Sequence, residues 1–253
     1  MNLSGRMKQA IERLTGTRIF RFPPRGVDMF HDIAAALPMF RPSIVFDVGA
    51  NVGQSARLFL DHFPDTTIHC FEPSTDNHRK LRNHLAGTGQ AHCHRIALGA
   101  AKADGTMVLQ GIPEMYFLRE QSREQPDADS PTESVTIDTI DAFCERNAIE
   151  RIGFLKIDTE GSDLEVLKGA TDSLARQSID LVLVEAGMSP TNQRHVSFEN
   201  LKQFLESHEY YLFGIYEQIH EWTTREPHLR RTNLLFLSRE TRRMNQKGRR
   251  LDR

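Results

Sequence analysis

Residues 44–55 read IVFDVGANVGQS, and this stretch decides the fold. The short run from Ile44 to Val48 reads as a strand, and Gly49 and Gly53 make the turn that follows it. Beyond the turn, Ala56, Phe59, Leu60 and Phe63 recur at helical spacing until Pro64 stops the segment. One strand-turn-helix unit is complete. Glycine in such a turn lets backbone approach a ligand where a side chain would collide, and the amides at the helix start favour negative charge. Asp47 before the turn and Glu72 at the end of the next strand add acidic groups that a purely structural turn does not require.

Working outward, Ile68 to Phe71 and Ala91 to His94 read as the second and third strands, with a helix from Thr75 to Ala86 stopped at Gly87 between them. Phe154 to Asp158 and Ile179 to Glu185 are the fourth and fifth, and Tyr210 to Tyr216 and Leu234 to Ser238 close the set. Between the fourth and fifth, Ser162 and Glu165 form a capping-box pattern, and Leu164, Leu167, Ala170 and Leu174 follow along one helical face. A further helix from Ser197 to about His208 turns Phe198, Leu201 and Leu205 inward. Strands alternating with crossover helices predict an α/β domain. Three segments stand outside the repeat. Residues 1–42 read as helices laid against the domain and broken at FPPRG, residues 111–134 as a polar surface insertion, and residues 241–253 as a basic, disordered tail. Residues 43–240 remain as the domain.

A chain of 253 residues has room for one large core, and its 32 basic against 34 acidic side chains leave no electrostatic case for nucleic acid. No apolar run approaches the roughly 18 to 20 residues that a bilayer crossing needs, and the start, MNLSGRMKQAIERLTG, lacks the apolar segment of a secretory signal. The expected location is the cytoplasm. Cys70, Cys93 and Cys144 match no zinc or redox spacing and read as buried small hydrophobes.

The glycine spacing separates two cofactor classes. A dinucleotide turn wants glycine at its first, third and sixth positions, and Asn51 and Gln54 stand at the third and sixth here. An S-adenosylmethionine turn has an acid two before the first glycine and a second glycine four after it, which Asp47, Gly49 and Gly53 fit. Glu72, in CFEPS, is placed to accept hydrogen bonds from both ribose hydroxyls of a nucleoside, and an ionised acceptor makes the stronger bond.

Through FDVGANVGQ, CFEPS, IALG, FLKIDTEGSDLEVLKGA and LVLVEAG, the sequence resembles the FkbM-type S-adenosylmethionine-dependent methyltransferases over about residues 43–238. The resemblance implies a class I methyltransferase fold. This is a Rossmann-like, mostly parallel seven-stranded sheet with helices on both faces, its last strand antiparallel and inserted beside the fifth. Known members are O-methyltransferases acting on sugar or polyketide hydroxyls. By position, the resemblance implies that Asp47, Gly49, Asn51 and Gly53 line the methionine half of the cofactor, that Glu72 holds the ribose, and that Pro73, Ile96 and Ala97 surround the adenine.

In a parallel sheet, ligands bind beyond the carboxyl ends of the strands, where Asp158 and Glu160 leave the fourth strand and Glu185 the fifth. Lys156, inside the fourth strand's apolar run, must pair with a carboxylate or snorkel out. A sugar hydroxyl attacking a methyl group must lose its proton to a base or be bound to a metal. His195, in TNQRHVSF, is the candidate base, and Asp158 and Glu185 complete the candidate catalytic set. Asp158 is also a candidate cofactor contact, and Asp158 with Glu185 is the candidate site for a magnesium ion. YEQIHEWTTREPHLRRTN joins the last two strands on the cofactor edge. There Trp222 offers a flat face for a sugar ring, and Glu217, Gln218, Arg230 and Asn233, together with Glu160, supply polar contacts to an acceptor. The histidines of HCHR read as an exposed face.

The sequence thus predicts an O-methyltransferase acting on a sugar hydroxyl in a glycan of lipopolysaccharide or exopolysaccharide type. Polyketide or other small-molecule hydroxyls are the alternative acceptors. From other classes, a nicotinamide-dependent sugar oxidoreductase is opposed by Asn51 and Gln54, and a binding-only domain would keep the cofactor without turnover. A homo-oligomer stays open.

Overall fold

The computed structural model describes residues 3–251 apart from Arg21 and residues 112–115, 119–128 and 222–223. Helices α1 (Leu3–Thr15) and α2 (Met29–Ala36) precede β1 (Ile44–Val48), α3 (Gln54–His62), β2 (Thr67–Phe71), α4 (Thr75–His84) and β3 (Ala91–His94). Then come β4 (Ala97–Leu98), β5 (Ala103–Val108), β6 (Phe117–Leu118), β7 (Thr132–Asp138), α5 (Ile140–Arg146) and β8 (Ile152–Ile157). Helices α6 (Asp163–Lys168) and α7 (Thr171–Ala175) lead to β9 (Ile179–Gly187), α8 (Phe198–Ser207), β10 (Tyr210–His220), β11 (Leu229–Ser238) and α9 (Arg239–Leu251).

The main sheet is mixed and has seven strands in the order β10-β11-β9-β8-β1-β2-β3, with β11 antiparallel to both of its neighbours. Strand alternation divides its side chains between two cores. Phe46 and Val48 pack with Phe143 of α5, Leu167 of α6 and Leu201 of α8, while Val45 packs with Ile33 of α2, Phe59 of α3 and Leu81 of α4. Helices therefore cover both faces. Phe46, Phe59 and Phe154 are almost wholly buried, and truncating any one to alanine costs about 3–5 kcal/mol.

Four expectations need correction. First, residues 97–138 build a second sheet in the order β4-β7-β5-β6, so the segment read as a surface insertion contributes buried structure. Phe117 and Leu118 are buried in β6, and Val135 and Ile137 pack with Met107; residues 112–115 and 119–128 of that segment lie outside the described residues. Polar composition hid a period-two pattern.

Second, the helix after β8 is two short helices, and the capping box does not form. The Ser162 hydroxyl has no partner, and Asp163 instead accepts from the amides of Thr159 and Gly161 at 3.3 and 3.2 Å. Near Gly169 the chain passes so close to β4 that a Cβ there would lie 2.0 Å from the Gly99 carbonyl oxygen. Third, the basic tail is helical as α9. Thr241 donates to Asp180 at 2.7 Å, and Asn245 donates to the Ala36 carbonyl at 3.0 Å. Fourth, only α2 of the N-terminal helices is laid into the core, through Ile33. Helix α1 leaves Met7, Ile11 and Leu14 exposed. Of the cysteines, Cys70 and Cys144 are buried and Cys93 only partly so. Among the described residues, no helix is long and apolar enough to cross a membrane.

Candidate functional site

A cavity opens to solvent at the carboxyl ends of β1, β2 and β8. Three of its walls are polar or charged. The turn after β1 contributes Gly49 and Asn51, the end of β2 contributes Glu72 and Pro73, and the loop after β8 contributes Asp158, Thr159, Glu160 and Ser162. The fourth wall is apolar, made by Ile96, Ala97 and Leu98 with Met107, Phe117 and Leu118 of the second sheet. Sequence reasoning missed Phe117 and Leu118 because β6 is two residues long, and Met107 because β5 opens on exposed polar residues.

Glu72 ties the polar walls together. One carboxylate oxygen accepts the Asn51 amide at 3.0 Å and the other accepts the Ser74 amide at 2.9 Å. Burial raises its pKa to about 7. Asn51 takes a left-handed φ of 48°, a conformation that asparagine tolerates better than most residues. Asn51 Oδ1, Thr159 Oγ1 and Ser162 Oγ are all buried against the cavity without a hydrogen-bond partner. Buried polar atoms are normally paired, so three unpaired ones on two of the walls are candidates to meet a polar ligand.

The other motif residues divide. Gly49, at φ 77°, is required because a Cβ would lie 1.8 Å from the Asp158 carbonyl oxygen, so β1 and β8 close tightly under the cavity floor. Gly53 and Asp47, both expected at the cofactor, do not line the cavity. Gly53 takes a left-handed φ of 93° at the start of α3, where glycine is favoured, and a Cβ there would also approach a Leu81 methyl at 2.9 Å. Asp47 is fully buried and pairs with Lys156 at 3.3 Å. Lys156 lies equally close to Asp158, at 3.3 Å. Burial opposes charge on Lys156, and the two carboxylates outweigh it, holding the ammonium above its ordinary range.

Beyond β8 and β9 the structure gathers Glu160, Glu185 and His195. His195 Nε2 donates to Glu185 at 2.8 Å and lies 3.8 Å from Glu160, while Nδ1 lies 2.9 Å from the amide nitrogen of Asn192. Both ring nitrogens are thus engaged inside the protein. Burial works against charge on His195, and the hydrogen bond and charge of Glu185 overcome it, raising the pKa of the ring. To act as the base read from its position in the loop, His195 would have to exchange one of these partners for the substrate hydroxyl. Glu185 also pairs with Arg231, and Arg194 Nε lies 3.5 Å from Glu160. Burial and the nearby Glu185 charge raise the pKa of Glu160 to about 7, and burial does the same for Asp163. Of these groups, Glu160 lines the cavity.

The expected metal pair, Asp158 and Glu185, is not brought together: Asp158 faces Lys156, and Glu185 faces His195 and Arg231. Glu160, Glu185 and His195 hold possible ligand atoms within 4.8 Å of one another, but Arg194 and Arg231 already share the two carboxylates. Among the expected acceptor contacts that lie in the described residues, only Glu160 reaches the cavity. Asn233 donates to Glu217 at 2.7 Å beside a separate cleft with Asp28, Phe30 and Tyr216, Gln218 is exposed on β10, and Arg230 pairs with Glu221 at 3.0 Å. Trp222 lies outside the described residues.

Comparison with known proteins adds the following. Residues 47–212 match the family described as the methyltransferase FkbM domain. The chain is 26% identical over 180 residues to Methyltransferase 1 of Beauveria bassiana, covering 63% of this chain and 69% of that protein. It is 31% identical over 162 residues to the hexuronic acid methyltransferase AglP of Haloferax volcanii, covering 58% of each. With the 31-O-demethyl-FK506 methyltransferase FkbM of Streptomyces tacrolimicus it shares 27% over 157 residues, 51% of this chain and 60% of that one. The chain therefore spans between 58 and 69% of the length of these relatives.

Proposed function

From the premise that this chain belongs to the FkbM methyltransferase family, we propose that it transfers a methyl group from S-adenosylmethionine to a sugar hydroxyl of a glycan. The observation that carries the reading is the set of unpartnered buried atoms on Asn51, Thr159 and Ser162 beside Glu72. An amino-acid end needs an acceptor for its ammonium and donors for its carboxylate, and a side-chain carbonyl with two hydroxyls meets that need. Glu72 takes the ribose hydroxyls, and the apolar wall of Ile96, Ala97, Phe117 and Leu118 takes the flat base. Bound there, S-adenosylmethionine supplies a methyl group activated by its sulfonium charge.

The chain's own contribution is to orient an acceptor hydroxyl and remove its proton. In this reading Glu160 accepts that proton as the new oxygen-to-carbon bond forms and the carbon-to-sulfur bond breaks. His195, locked by Glu185 and Asn192, and Arg194 position Glu160 without touching the acceptor. Asp47 and Lys156 stiffen the strand ends beneath.

The relative described as a hexuronic acid methyltransferase supports a sugar acceptor. The relative described as acting on a demethylated FK506 favours the second reading, a polyketide hydroxyl. Tritiated S-adenosylmethionine, offered with uronic-acid oligosaccharides, neutral oligosaccharides and a macrolide alcohol, decides between them. The proposal expects label in an oligosaccharide as a methyl ether stable to mild base. Label in the macrolide alone would overturn the sugar acceptor.

A further inference from the structure

The N-terminal segment is folded on itself and turned outward. Helix α1 ends at Gly16, at φ 68°, and the returning chain brings the Ile19 amide to Glu12 at 2.9 Å. Lys8 and Arg18 reach the same carboxylate at 3.9 and 3.7 Å, and the Lys8 ammonium sits 5.8 Å from the Phe20 ring. Glu12 is the one acid among residues 1–27, against six basic residues: Arg6, Lys8, Arg13, Arg18, Arg21 and Arg25. The acid is thus covered.

The apolar side chains are not. Met7, Ile11 and Leu14 share one helix face at spacings of four and three, and Leu14 is 86% exposed. Phe20, Phe22 and Val27 are exposed as well, Val27 at 71%. The segment is anchored to the domain at its far end, where the Gly26 amide donates to Asp32 at 2.7 Å and the Arg25 guanidinium lies 6.0 Å from the Phe213 ring.

We propose that residues 7–27 dock on the surface of an anionic lipid bilayer. In this pose Met7, Leu14, Phe20 and Phe22 enter the boundary between headgroups and acyl chains, and the basic side chains meet lipid phosphates. Charge complementarity selects this occupant. A second copy of the chain would set two strongly basic segments face to face, and a nucleic acid would pair the charges while leaving the apolar side chains in water. The inference does not depend on the acceptor of the methyl group.

The test uses the full chain and cosedimentation with vesicles of phosphatidylcholine alone or with added phosphatidylglycerol. The wild type is expected to bind the anionic vesicles and to stay in solution with the neutral ones. Leu14→Glu combined with Phe20→Glu is expected to lower binding at least tenfold, and Arg13→Glu about fivefold per charge lost, with thermal melting unchanged. Three results would each overturn the proposal. These are equal binding to both vesicle types, anionic binding that survives Leu14→Glu with Phe20→Glu, and light scattering that shows a dimer dissolved by the same pair.

Discussion

The two halves of the site satisfy their polar groups in opposite ways. Around Glu72, buried atoms of Asn51, Thr159 and Ser162 have no partner, while around Glu160 the charged groups Glu185, His195, Arg194 and Arg231 are joined in one network. An unpaired buried polar group costs about 1–3 kcal/mol, so the first half is held open by the fold and a ligand relieves the cost. The second half starts neutralised, and an acceptor must exchange existing ion pairs to enter. In the proposed reading, donor recognition is therefore fixed geometry, whereas acceptor chemistry is a matter of displaced charge.

The largest expected effect separates the halves most sharply. Glu160→Gln is expected to lower kcat about 10²- to 10⁴-fold, the worth of a general base, while leaving the affinity for S-adenosylhomocysteine unchanged. Single-turnover methyl transfer and calorimetry measure the two quantities, and a variant that turned over normally would leave Glu160 outside the chemistry. Glu72→Gln is the converse. Loss of the ionised acceptor is expected to weaken S-adenosylhomocysteine about 10- to 100-fold.

A third prediction concerns protons. Because Glu72 titrates near 7 in the free protein and must be ionised to accept ribose hydroxyls, affinity is expected to rise with pH up to about 7 and then level off. Glu72→Gln should flatten that profile; a wild-type affinity unchanged between pH 5 and 8 would contradict the assignment. Next in size, His195→Asn is expected to reduce kcat about tenfold, the scale of one hydrogen bond, and to shift the pH dependence of kcat through its effect on Glu160. A drop in kcat with an unmoved pH profile would make His195 structural only.

The smallest effect is on stability. His69 and His94, 3.1 Å apart on β2 and β3, have pKa values lowered to about 4 by burial and by neighbouring histidines. Between pH 6.5 and 4 the unfolded chain binds more protons at these positions than the folded one, so their contribution to stability is lost as pH falls through that window. Urea melts at pH 7 and pH 5 check the sign, and His94→Phe should reduce the difference.

Legibility in the sequence followed the range of the interactions. The turn after β1 and the carboxylate ending β2 were readable because each is a local pattern of strand, turn and helix. The pairing of Asp47 with Lys156 was not readable, because Lys156 sits on the neighbouring strand β8 and strand register is not written in local spacing. The approach of Gly53 to Leu81 was hidden for a similar reason, since Leu81 lies a helix away. The second sheet was missed because β4 and β6 are two residues each and the alternation of β7 lies among polar residues. Glu160 and His195 were both in view as candidates. Only the fold of the loop after β9, which places Asn192 and Glu185 on the two nitrogens of the ring, separates their roles.

The central claim is that the cavity beside Glu72 binds the methyl donor, and calorimetric titration of S-adenosylhomocysteine and NADH into the wild type and Glu72→Gln tests it most directly. The account predicts one site per chain for S-adenosylhomocysteine, weakened about 10- to 100-fold by the substitution, and no heat of binding from NADH. Equal binding by wild type and variant, or NADH bound as tightly as S-adenosylhomocysteine, would contradict it.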